Sequence, residues 1–174
     1  MRNLVVVFCL FVLPTVLQAE EFGTATGTEG GVSLAVKLPL ETEPGKPIMA
    51  EVVLSNEADD EICVLVRPGQ SAESRDVAIQ FSAVNLGGKE VKLTAYGKYV
   101  RSAEGSIRSR KIQKGQSFTF DSNVARILDV SMEGYYRVQV AVVYWRGDNQ
   151  KAIKAKPIEI KVKEAPLPAQ PIAK

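Results

Sequence analysis

The chain reads as an all-β protein, a single domain folded as an antiparallel sandwich. Three observations predict this. Apolar residues fall two apart in segment after segment, the period of a strand with one buried face. Turn signals rich in Gly, Pro and Asn separate those segments roughly every ten residues. Helical periodicity is absent, apart from a single turn at Asn123 to Leu128. A sandwich of this kind takes about seven to nine strands.

The first nineteen residues stand apart from that pattern. Met1-Arg2-Asn3 supplies a positive end, and Leu4 to Leu17 is apolar except for Pro14 and Thr15. Leu17-Gln18-Ala19 then offers a small residue before the charged Glu20-Glu21. That order is a secretory signal, so residues 1–19 are expected to be a signal peptide. The apolar run is shorter than the roughly 20 residues a membrane span needs, so no span is expected after cleavage. Cys9 would leave with the peptide, and no cysteine at the cut offers a lipid anchor. About 155 residues would remain, enough to bury a core without disulfides. No Asn-x-Ser/Thr sequon occurs, which favours a bacterial protein, periplasmic or extracellular.

Residues 20–30 are small and polar and read as a flexible lead-in. The sandwich itself is expected over 31–163. Val32, Leu34, Val36 and Leu38 alternate with Ser33, Ala35 and Lys37, the pattern of a half-buried strand. Pro39 to Pro47 reads as a connector, and Ile48, Ala50, Val52 and Leu54 resume the period. Ile62 to Val66 is apolar on both faces and suits an interior strand, closed by Pro68-Gly69. Val77, Ile79, Phe81 and Ala83 alternate again, and Gly87-Gly88 signals a hairpin into Val91, Leu93 and Ala95. Arg101 to Gln116 is the longest irregular stretch, with Phe118 and Phe120 opening a strand after it. Tyr136 to Tyr144 alternates most strongly. A turn at Gly147 to Gln150 and a last strand around Ile158, Ile160 and Val162 follow. Residues 164–174 carry three prolines from Ala165 onward and read as a disordered tail.

Several chemistries are excluded by what is missing. The chain has no histidine, and only Cys63 remains after cleavage. That removes histidine-based acid–base and nucleophile pairs, and it forbids an intramolecular disulfide. No cofactor is implied. Charge is uneven: residues 20–60 hold nine acids against two bases, and residues 101–174 hold fourteen bases against seven acids. This suits either a basic face for anionic polymers or terminal strands that neutralise one another.

Residues 114–140 are the most informative for kinship. Gly115 precedes Phe118 and Phe120, Leu128 plugs the following loop, and Gly134 opens the next strand. Tyr136, two residues after that glycine, is placed as in a tyrosine corner. This order resembles the Ig-like sandwich modules of bacterial exported proteins, including the domain that precedes some deuterolysin-like metallopeptidases. It is similar, more loosely, to BsuPI-type proteinase inhibitors. Ser55-Asn56 and Leu93-Thr94-Ala95-Tyr96-Gly97-Lys98 support the likeness, which covers about residues 31–145. It implies a single Ig-like antiparallel β-sandwich, with Gly134 and Tyr136 in structural roles. It implies no peptidase activity, since the zinc ligands such a peptidase needs are absent.

Candidate sites are few. Cys63 on an interior strand reads as a small buried apolar residue or a reactive thiol. Glu57, Asp59, Asp60 and Glu61 crowd one loop, without the spacing or central glycine of a calcium loop. Lys151, Lys154, Lys156, Lys161 and Lys163 suit a guarded edge. Arg101, Arg108, Arg110, Lys111 and Lys114 make the long irregular stretch basic, and these are the expected partner-binding residues. Neither basic set interleaves aromatics, so nucleic acid is not expected. The functional expectation is an exported, non-enzymatic binding or structural module facing an envelope protein or an anionic envelope polymer. The alternative is a proteinase inhibitor presenting a basic 101–116 loop.

Overall fold

A computed structural model describes residues 21–66, 78–101 and 108–164. The expected signal peptide at 1–19, residues 165–174 of the expected 164–174 tail, Pro68-Gly69 and Val77 lie outside the described residues. Two sheets pack face to face as an all-β sandwich. The first holds β1 (Phe22–Glu29), β2 (Val32–Pro39), β4 (Met49–Asn56) and β8 (Gln116–Asn123), each antiparallel to its neighbour. The second runs β3 (Glu41–Thr42), β11 (Ile158–Val162), β9 (Gly134–Arg146), β5 (Ile62–Val66) and β7 (Arg108–Ile112). Two further strands, β6 (Ile79–Asn85) and β10 (Asn149–Lys154), also pair with β9.

β9 is the spine of the second sheet because its 13 residues are long enough to hold two partners on each edge. β11 pairs with Gly134–Val138 and β10 with Ala141–Arg146 along one edge. Along the other, β6 pairs with Tyr136–Val142, and β5 joins through Cys63 opposite Trp145. Its inward residues Tyr136, Val138, Val140, Val142 and Tyr144 are buried against Leu34, Val36, Val52, Leu54 and Phe120 of the first sheet. Alternation alone makes these strands two-faced, and burial of the apolar face holds the sheets together. The Tyr136 hydroxyl donates to the Met132 carbonyl at 2.7 Å, arching the chain into β9 through Gly134 at φ 135°.

The described residues form eleven strands, more than the seven to nine expected, and β3 runs parallel to β11. The extra strands come from segments with little to bury. Residues 22–29, read as part of a flexible lead-in, form β1, although only Ala25 reaches the core. Its backbone ladder to β2 holds it, and Gly27 lets it cross against the Lys154 carbonyl, where any side chain would collide. The Pro39–Pro47 connector contains β3. The expected strand at Val91 to Ala95 is reduced to isolated bridges, Val84 to Glu90 and Leu93 to Leu128. The chain then turns into α1 (Ala95–Arg101), which the alternation did not anticipate. Thr94 starts it by accepting from the Gly97 N–H at 3.0 Å, and Gly97 lies flush on the Ile127 carbonyl of α2 (Val124–Ile127).

A wholly buried polar side chain lies where the two sheets meet. Asn56, 0% exposed at the end of β4, donates to the carbonyls of Asp60 at 2.8 Å and Ile112 at 3.0 Å. Its side-chain oxygen accepts from the Ala58 N–H at 3.1 Å. Asn56→Ala would orphan the buried Ile112 carbonyl and the Ala58 N–H, so a loss of about 2–3 kcal/mol is expected in urea unfolding. A midpoint equal to that of the wild type would show that the bracket contributes nothing.

Tyr144 is the opposite case: it is also 0% exposed, yet its hydroxyl has no partner among the described residues. Burial, then the nearby Glu29 carboxylate, raises its titration above the usual tyrosine value of 10.0, with Arg146 opposing. The fold therefore favours the neutral phenol. The associated stability is full below the ordinary value and is lost as pH rises through the raised one. Tyr144→Phe is expected to keep the urea midpoint at neutral pH and to lose less stability than the wild type above about pH 10. Equal alkaline losses would assign that sensitivity elsewhere.

Candidate functional site

The described residues of the expected 101–116 loop are mostly in regular elements, and 102–107 lie outside the described residues. Arg101 is the last residue of α1, Arg108, Arg110 and Lys111 lie on β7, and Lys114 sits in the turn to β8. β7 pairs antiparallel with β5, placing Arg108 opposite Val66, Arg110 opposite Val64 and Ile112 opposite Ile62. Pairing with an apolar interior strand makes Arg-Ser-Arg-Lys a strand, which its own pattern does not suggest. An inhibitor would present its arginines on a projecting loop; here Arg108 and Arg110 stand in a paired ladder.

Strand alternation divides the basic set. Arg108 and Arg110 share the face of buried Ile112, on the side toward the first sheet. At the margin of the sandwich their long side chains still reach water, and the Arg110 guanidinium lies 5.8 Å from the ring centroid of Phe118 on β8. Lys111 points to the other face, where its Nζ is 2.8 Å from Glu61 Oε1. The Glu61 carboxylate also raises the Lys111 titration, chiefly through this hydrogen bond. Lys114 Nζ is 2.6 Å from Asp59. Gln113 donates to Glu61 as well, so the 57–61 loop is tied to the β7–β8 turn.

The acidic loop, read from sequence as a solvated turn, thus supplies counter-charges to two of the expected binding residues. Arg108 and Arg110 have no acidic partner among the described residues. A shallow hollow of about 280 Å³ lies beside Arg110, lined also by Lys111, Ile112, Gln116, Ser117 and Phe118. Larger clefts lie elsewhere. One of about 590 Å³ runs between Phe81 and the Glu90–Leu93 segment. Another, of about 550 Å³, lies at Phe22 and Met49, where one of its two lysines, Lys163, is paired with Glu41 at 2.6 Å. No group of three acidic or cysteine side chains able to hold a metal occurs among the described residues.

The remaining candidates are dispersed. Cys63 is half-buried rather than enclosed: β5 is interior in strand order, but its outer face at Cys63 and Leu65 is only partly covered. Lys154 and Lys156 are exposed near the β10–β11 connection, while Lys161 lies 5.7 Å from the Tyr135 ring. The Glu41–Lys163, Asp59–Lys114 and Glu61–Lys111 pairs each join an acid between residues 41 and 61 to a base beyond residue 110. Two of the nine acids of residues 20–60, Glu41 and Asp59, are thus neutralised by bases of residues 101–174. No helix of the described residues is long and apolar enough to cross a membrane.

The geometry thus defines an all-β sandwich whose margin carries two arginines without an acidic partner among the described residues. No protein-family model matches the chain, and no curated protein does.

Because Glu61 and Asp59 face water, their pairs tune charge more than stability. Glu61→Gln combined with Asp59→Asn is expected to leave the thermal midpoint unchanged. The same change should strengthen retention on a sulfated cation-exchange resin by freeing Lys111 and Lys114. Retention no stronger than in Glu57→Gln combined with Asp121→Asn, which removes the same charge from acids paired with no lysine among the described residues, would show that these lysines are not held by the acidic loop.

Proposed function

We propose that the chain is an exported, non-enzymatic binding module of the bacterial envelope, of the Ig-like kind, which meets an anionic partner through Arg108 and Arg110. The partner is an envelope protein or an anionic envelope polymer. One observation carries this reading: among the described residues, the two lysines at the β7 margin are paired with acids and the two arginines are not. Guanidinium groups that share one strand face and have no acidic partner among the described residues form a fork-like site for carboxylate, phosphate or sulfate oxygens. The absence of histidine from the chain supports a binding role over catalysis. Export rests on the charged start, apolar run and small-residue cut of residues 1–19.

A crosslinking pull-down from the envelope fraction of the source cells tests this, with residues 20–174 as bait and Arg108→Glu/Arg110→Glu as control. The wild-type bait is expected to capture a partner that the control loses, with capture falling as salt rises. The control should keep the wild-type thermal midpoint, since both side chains are exposed. Equal capture by both baits would remove β7 from the binding site.

A further inference from the structure

The two sides of the sandwich end differently. On the β1 side the sheets are stitched together: the Lys156 N–H donates to the Thr26 carbonyl at 3.3 Å, and Gly27 lies against the Lys154 carbonyl. On the opposite side, β7 ends one sheet and β8 ends the other, and among the described residues neither has a partner on its outer edge. An edge strand presents alternate N–H and C=O groups outward, a ready template for another strand. The two free edges differ in charge. β8 carries Asp121 as its only charged residue, whereas β7 carries Arg108, Arg110 and the neutralised Lys111.

We propose that the β7 edge takes up an extended acidic polypeptide segment as an added strand, with carboxylates two residues apart facing Arg108 and Arg110. This rests on the binding role proposed above and names its occupant. Residues opposite one another on adjacent strands share a face, so the partner's acids must alternate to meet both arginines. The two arginines stand about 6.6 Å apart along the strand, which matches an acid-x-acid spacing. Main-chain bonds to β7 supply affinity, and the arginine face supplies selection for charge. Asp121 on β8 repels the same ligand from the other free edge.

The test is fluorescence anisotropy with the mature chain, residues 20–174, and a labelled decapeptide in which Glu and Val alternate. Comparison ligands are a peptide of the same composition with its glutamates contiguous, the alternating peptide N-methylated at every second amide in either frame, and heparin. The expected result is saturable binding of the alternating peptide, about tenfold weaker binding of the contiguous one, and loss on N-methylation in one frame. Binding should also be lost in Arg108→Gln/Arg110→Gln, a neutral change that keeps the wild-type melting curve. Equal binding of both peptides, still dependent on the arginines, would overturn strand addition and leave the anionic site standing. Arginine-dependent binding of heparin without either peptide would replace the polypeptide with a polysaccharide. Alternating-peptide binding that ignores the arginine substitutions would overturn both this inference and the reading on which it rests. No binding of any of these ligands would also overturn the inference.

Discussion

The buried amide of Asn56 fixes the margin of this sandwich. β7 has one buried side chain, Ile112, whereas β2 buries Val32, Leu34, Val36 and Leu38. Burial of an apolar side chain contributes about 1.5–3 kcal/mol, so β7 has far less holding it than β2. Asn56 supplies the difference by direct attachment. Its side chain grips the Ile112 carbonyl at the end of β7, and its own backbone carbonyl accepts from the Gly115 N–H at 2.6 Å. The same amide group reaches Asp60 and Ala58, so one residue sets both the β7–β8 corner and the acidic loop beside it.

The charge pattern follows from that bracket. With the 57–61 loop held against the corner, Glu61 meets Lys111 and Asp59 meets Lys114. Arg108 and Arg110 lie farther along β7, outside the reach of that loop. What distinguishes these arginines is therefore register, not composition. The long β9 completes the arrangement from the other side, since it carries β5, and β5 in turn carries β7.

Much of the fold was legible wherever alternation and burial coincide. β2, β4, β9 and β11 each show period two in sequence, and each buries that face. The Gly134–Tyr136 pair was legible because a positive φ and a tyrosine hydroxyl bonded to upstream backbone leave a fixed spacing. β1 was not, because Thr24, Thr26 and Thr28 are exposed and the strand exists through its ladder to β2. α1 was hidden because it is seven residues long, and its Gly97 reads as a breaker when it is in fact a close contact with α2. At the site, the cations were legible as a cluster. Which of them were neutralised was not, since Asp59 and Lys114 are joined only after β5 and β7 pair.

Amide hydrogen exchange across β7 in the free protein tests the central claim most directly, because the account requires an edge that is ordered on one side and open on the other. Antiparallel pairing with β5 should protect alternate amides from Arg108 to Ile112, while those between them exchange at rates near those of exposed backbone. That alternation would establish a free edge between the sheets with the two arginines on it. Uniform protection along β7 would mean that the edge is already covered, and it would contradict the account.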